Sequence, residues 1–202
     1  MLDRATLELD SSNMLGKIAE TPDQLRRGFD LGREAWRPLA GGRPGTLVVA
    51  GMGGSAMGGD LLGSYLLRRS GTAITVTRGY GLPEFVGDDV LVVVSSYSGN
   101  TEEALGCLSD AAARGLQVAC ITSGGEVMAE AEKHGMAVAR LPGGYPPRAA
   151  LGYSFGALLA LAHTAAICDS PEEELGECIE SLTRLREVYS PEGPGENDAL
   201  AI

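Results

Sequence analysis

Three stretches of small polar residues carry most of the chemistry that this sequence can offer. They are Gly51-Met52-Gly53-Gly54-Ser55, Ser95-Ser96-Tyr97-Ser98-Gly99-Asn100-Thr101 and Thr122-Ser123-Gly124-Gly125. Glycine lets a ligand approach the backbone closely, and a serine or threonine at a helix start adds a hydroxyl to amides that the helix leaves unpaired. An anion suits such a turn, because the N–H groups and the positive end of the helix dipole both favour it. Taken singly, each turn also fits an ordinary helix cap. Two of them after neighbouring strands would bring several hydroxyls and N–H groups to one point, which suits a phosphate monoester and requires no lysine. The lysines are Lys17 and Lys133, neither beside a glycine-rich turn, which speaks against Schiff-base chemistry. No G-K-[ST] occurs, which excludes a Walker-type phosphate loop.

A nucleotide reading competes. Gly51-x-Gly53-x-x-Ala56 fits the dinucleotide fingerprint after a strand, and Arg78 could face the 2′-phosphate of NADP. It assigns no role to the hydroxyl-dense turn at 96–101, and the usual acidic ribose-binding residue is missing. Other classes fall on charge and composition. The net charge is −11, so no basic stripe is available and neither nucleic acid nor an anionic membrane is expected as a partner. That charge does not forbid a bound phosphate, since exposed charges beyond roughly 8 Å are screened while hydrogen-bond donors act in contact. Cys107, Cys120, Cys168 and Cys178 have no C-x-x-C spacing and no companion histidines, so they read as reduced, mostly buried thiols and no metal is expected.

The elements that must position these turns alternate along the chain. Apolar β-branched runs at 46–50, 73–77, 90–95, 117–121 and 136–140 alternate with helical patterns at 55–69, 101–114 and 125–134. This predicts an α/β fold, a doubly wound five-stranded parallel sheet with helices on both faces. Two helices precede it, at 13–20 and from Thr21 to about Trp36, the second opened by Thr21 as cap, Pro22 at the first helical position and Gln24 three residues after the cap. Two long helices follow. The segment 149–168 has no formal charge, and Gly152 and Gly156 give it a small-residue face. Its alanines and Ser154, His163 and Thr164 make it weak as a membrane span, so a core or dimer-interface helix is expected. The stretch 171–189 is amphipathic, with Leu175, Cys178, Ile179, Leu182 and Leu185 on its expected inner face.

With 202 residues, 44% of them hydrophobic, the chain is sized for one domain. The expected division is a helical segment at 1–45, the sheet domain at 46–189 and, at 190–202, a Pro/Gly-rich stretch with the composition of a linker to a second domain. The opening MLDRATLELD has no positive region followed by an apolar stretch, so no signal peptide is read and a cytoplasmic location is expected.

Four motifs in order carry a resemblance: GMGGSAMGGD at 51–60, RGYGLPEFV at 78–86, SYSGNTEEAL at 96–105 and PPRAALGY at 146–153. Together they resemble the N-terminal SIS (sugar isomerase) domain of the bifunctional phosphoglucose/phosphomannose isomerases, and the resemblance extends to the opening helices. It implies that Ser55, Ser96, Ser98 and Thr101 hold the phosphate of a hexose 6-phosphate, that Gly53 and Gly54 line the sugar, and that Arg148 lies near the reacting carbons as a catalytic residue. It further implies interconversion of glucose or mannose 6-phosphate with fructose 6-phosphate through an enediolate, without cofactor, in a homodimer.

Such a reaction needs a general base, a ring-opening group and a cation for the developing oxyanion. Arg148 suits the last, because a guanidinium stays charged and makes two directed bonds, and its competing reading is a salt bridge near a helix start. In that family the base comes from a second SIS domain. Within this chain the candidates are Glu102 and Glu103, acidic residues of a first helical turn, His134 at a helix end, and His163, expected as a hydrogen-bonded core or interface residue. A stand-alone phosphosugar sensor would use the same loops and is the alternative to an isomerase half.

Overall fold

The computed structural model describes residues 9–38 and 41–190. Its sheet consists of β1 (Thr46–Gly51), β2 (Ala73–Thr77), β3 (Val90–Ser95), β4 (Gln117–Thr122) and β5 (Ala137–Arg140), all parallel in the order β2-β1-β3-β4-β5. Around it stand α1 (Met14–Ala19), α2 (Thr21–Ala35), α3 (Gly53–Leu66), α4 (Glu102–Ala113), α5 (Gly125–Lys133), α6 (Leu151–Thr164) and α7 (Glu172–Val188). The predicted strands and the doubly wound architecture are thereby observed.

The central strand β3, VLVVVS, is buried along its whole length, as a strand covered on both faces must be. Alternation of side chains divides the core in two. Leu47, Val49, Leu91, Val93 and Ile121 meet α2, α3 and α6 on one face. Val48, Ala50, Val92, Val94 and Cys120 meet α4 and α5 on the other. None of the helices among the described residues is long and apolar enough to cross a membrane.

The small-residue face of α6 is used inside the chain. A Cβ at Gly152 would stand 2.8 Å from the Gln24 Cβ, one at Gly156 2.4 Å from the Leu25 carbonyl oxygen, and one at Gly28 2.3 Å from the Tyr153 carbonyl oxygen. Backbone therefore lies on backbone between α2 and α6, which makes α6 a core helix and removes its small face as an argument for a dimer. Buried Gln24 donates to the Ala149 carbonyl at 2.9 Å, and the Trp36 indole N–H donates to the Ala157 carbonyl at 3.0 Å, so the seam keeps its polar groups paired.

Two local expectations are corrected. Thr21 does not cap α2: its hydroxyl donates back to the Ile18 carbonyl at 2.6 Å, and Glu20 occupies the cap position. On α7, Leu175 is buried and Ile179 and Leu182 pack against the core, but Cys178 and Leu185 are exposed, because this outer helix touches α2 along a narrow strip. The linker-like stretch lies, beyond Ser190, outside the described residues.

Candidate functional site

In a parallel sheet every strand delivers its C-terminal residue to the same edge. Gly51 and Ser95 end β1 and β3 as register partners, and the helices that follow them leave for opposite faces, which opens the crevice where such sheets bind ligands. The turn after β1 needs its glycines. Gly53 has φ +50°, and a Cβ there would meet nothing within 4 Å, so that side of the turn is open. Ser55, 7% exposed, accepts the Tyr97 backbone N–H at 3.1 Å, which joins the first turn to the second.

The second turn folds on itself. The buried Ser96 hydroxyl lies 3.0 Å from the Thr101 hydroxyl and accepts the Gly99 N–H at 3.2 Å. Ser98 is exposed, and its hydroxyl accepts the Asn100 N–H at 3.3 Å. Thr101 is the cap residue of α4, yet no side chain caps that helix, so its first amides remain available to an anion.

The third turn serves as a buttress. Thr122 donates to the Gly124 carbonyl at 2.7 Å, and Ser123 donates to the Tyr97 carbonyl through both its N–H, at 3.0 Å, and its hydroxyl, at 2.6 Å. The Glu126 and Val127 amides donate to the Asn100 side-chain oxygen at 3.0 Å and the Gly99 carbonyl at 2.9 Å. The Thr122 hydroxyl is thus occupied within its own turn and the Ser123 hydroxyl in holding the second.

Arg148 reaches the same edge from a single 3₁₀ turn, Pro147–Ala149, which precedes α6. A Cβ at Gly54 would lie 2.8 Å from the Pro147 carbonyl oxygen and 3.1 Å from the Arg148 α-carbon. The first turn and the arginine turn are therefore in direct contact. The Arg148 side chain is exposed and makes no hydrogen bond or ion pair with the described residues, so the salt-bridge reading of this residue fails. The structure thus gathers Gly53, Gly54, Ser55, Ser96, Ser98, Thr101 and Arg148 along one edge of the sheet.

Sequence reasoning passed over Tyr97 and Tyr145. The Tyr97 phenol donates to the Pro142 carbonyl at 2.6 Å and accepts the Tyr145 N–H at 3.1 Å, and burial pushes its ionisation up. Tyr145 stands edge-on to Tyr153 with ring centroids 5.5 Å apart, and its hydroxyl donates to Glu20. The available signal was one aromatic residue inside an otherwise hydroxyl-rich turn.

The candidate bases fare differently. Glu102 and Glu103 occupy the first turn of α4, Glu102 exposed and Glu103 partly so, as the helix dipole favours. His134 and His163 belong to the far ends of α5 and α6, helices of 9 and 14 residues that start at the site edge and run away from it. At ~1.5 Å of rise per residue they lie about 13 and 20 Å away along the helix axes. His134 stands 3.5 Å from Glu130, and His163 is exposed with Nδ1 3.4 Å from the Cys168 carbonyl, at the surface and not in the core.

Among the described residues no group of three His, Cys, Asp or Glu side chains could hold a metal ion. The cysteines are free, Cys107 and Cys120 buried and Cys178 exposed, which corrects the burial expected of the last. Arg78 pairs with Asp60 and so has a partner without any nucleotide. A cleft of about 720 Å³ between α3 and β2, lined by Gly59, Gly63, Ile74 and Arg78, contains none of the turn hydroxyls.

No protein-family model matches the chain. It is 38% identical over 185 residues to a bifunctional phosphoglucose/phosphomannose isomerase of Caldicellulosiruptor bescii, covering 92% of this chain and 55% of that protein. To the protein of the same name from Aquifex aeolicus it is 39% identical over 138 residues, 67% of this chain and 43% of that one. Among solved structures, the C-terminal domain of glucosamine-fructose-6-phosphate aminotransferase from Francisella tularensis matches with a TM-score of 0.60 at 16% identity, covering 87% of this chain and 54% of that one. That likeness shows the shared SIS fold. The chain spans about half the length of the curated relatives it matches. No comparison supports a dinucleotide-binding oxidoreductase.

Proposed function

We propose that this chain, which belongs to the bifunctional phosphoglucose/phosphomannose isomerase family, is a phosphosugar-binding SIS half of such an enzyme. Its ligand is a hexose 6-phosphate, and the reaction it serves moves a proton between carbons 1 and 2 of the opened sugar. The bond between the Tyr97 N–H and the Ser55 hydroxyl carries this reading, because it brings the β1 and β3 turns together at the crevice of the sheet. Ser55, Ser96, Ser98 and Thr101, with the first amides of α4, hold the phosphate. Gly53, beside which a Cβ would meet nothing within 4 Å, leaves room for the sugar, Gly54 lets the arginine turn close on the first turn, and Arg148, without a hydrogen-bond or ion-pair partner among the described residues, neutralises the enediolate oxygen.

The proton itself requires a base. His134 and His163 are a helix length away, and Glu102 and Glu103 sit where a phosphate-binding helix start needs its amides, so the base comes from another SIS domain. Loss of a general base commonly costs ~10²–10⁴ in rate, so the chain alone binds the sugar and turns it over slowly. The working enzyme is a cytoplasmic dimer with no cofactor, by resemblance to the family.

Ligand-observed NMR with fructose 6-phosphate in D₂O tests this reading. Saturation transfer to the sugar without deuterium entry at carbon 1 is the expected result. Deuterium entry would place a base within these residues, and absence of transfer at millimolar sugar would overturn the phosphosugar assignment.

A further inference from the structure

The loop that delivers Arg148 has little of its own to define its course. It contains Gly143 and Gly144, the latter at φ +93°, then Pro146 and Pro147, and the arginine side chain has no partner among the described residues. Glycine-rich backbone loses much freedom when it is ordered, so something must hold it. At its start the Leu141 N–H donates to the Thr122 carbonyl at 2.8 Å. In its middle the Tyr145 side chain reaches Glu20 and Tyr153, while the backbone is held by one phenol, Tyr97, which donates to the Pro142 carbonyl and accepts from the Tyr145 N–H.

Tyr97 is 8% exposed and lies inside the second turn, between Ser96 and Ser98. Its backbone N–H holds the Ser55 hydroxyl and its carbonyl holds both donors of Ser123. One residue thus touches the first turn, the third turn and the arginine loop. We propose that Tyr97 is a positioning residue for Arg148, its hydroxyl setting how far the guanidinium stands from the phosphate turn. The proposal rests on the phosphosugar reading above. A phosphate fixed at one end of a six-carbon chain puts the reacting carbons at a distance that the chain dictates, and a cation meant for them must be held at that distance.

Tyr97→Phe removes the hydroxyl and keeps the ring. Calorimetric titration of the full chain with inorganic phosphate and with fructose 6-phosphate separates the two roles. The variant is expected to bind inorganic phosphate within about twofold of wild type and fructose 6-phosphate roughly tenfold more weakly. Arg148→Gln is expected to show the same split, and Tyr97→Phe added to Arg148→Gln to weaken binding little further, since coupled residues do not add. Unchanged fructose 6-phosphate affinity in Tyr97→Phe, full additivity with Arg148→Gln, or an equal loss of inorganic phosphate would each overturn the proposal.

Amide hydrogen exchange gives a readout independent of affinity. The Tyr145 amide should lose protection in Tyr97→Phe while the Val127 amide, bonded to Gly99, keeps it. Protection retained at Tyr145 would overturn the proposal even if binding changed. Failure of the wild-type chain to bind either ligand would instead overturn the phosphosugar reading itself, and with it this inference.

Discussion

The Gly54 α-carbon faces the Pro147 carbonyl so closely that a Cβ on it would stand 2.8 Å from that oxygen. Distant parts of the chain, the turn after β1 and the 3₁₀ turn carrying Arg148, meet there with no room for a side chain. Gly54→Ala must push them apart, at a cost of about 1–3 kcal/mol. Urea unfolding should report that loss, and fructose 6-phosphate affinity should fall by more than that for inorganic phosphate. Equal losses for both ligands would show that the seam does not position the arginine.

Ser98 and Ser55 should respond in opposite ways. Ser98 is exposed and its hydroxyl accepts a long 3.3 Å bond, so Ser98→Ala should change stability by less than ~0.5 kcal/mol while weakening phosphate binding roughly tenfold. Ser55→Ala strands the buried Tyr97 N–H and should cost about 1–3 kcal/mol of stability. Unfolding curves and phosphate titrations distinguish the two. Wild-type phosphate affinity in Ser98→Ala would remove that residue from the site.

Gly99 stands at φ +73°, and a Cβ there would lie 1.7 Å from the Gly124 carbonyl oxygen. Gly99→Ala should destabilise the chain by about 3 kcal/mol or more, because backbone strain and backbone overlap act together. Phosphate binding should disappear with it. A urea midpoint equal to that of wild type would mean that the second and third turns are not packed together in solution.

The buried thiols make an alkaline prediction. Burial pushes Cys107 up to about 11 and Cys120 up to about 12, from an ordinary value of 9.0. Below pH 9 both folded and unfolded chains keep these protons. Above it the unfolded chain releases them while the folded chain retains them, so stability falls as the pH climbs toward 11 to 12. Replacing Cys120 with Ala should flatten the decline seen in unfolding midpoints between pH 9 and 10.5. Exposed Cys178 should react with a thiol reagent at pH 8, whereas Cys107 and Cys120 should require denaturant.

The sheet was legible because its signals are local. Runs such as TLVVAG and VLVVVS have one stable use, and glycine- and serine-rich turns after them mark where the chain must leave for a helix. The gathering of the hydroxyl-rich turns was legible for the same reason, since a parallel sheet sends every such turn to one edge. The place of Arg148 was suggested by a motif and became geometry only through the contact with Gly54.

By itself, then, the sequence determined the strands, their helices and the hydroxyls that end up together, through preferences that act over a few residues. Tertiary structure alone decided what those residues do. It turned the small face of α6 against α2, exposed Cys178 and Leu185, spent the Ser123 hydroxyl on support, and made Tyr97 the tie between three loops. Each of these outcomes depends on contacts between residues far apart in the chain. Such contacts follow from which surfaces must be buried together, and a short window of sequence carries no record of that.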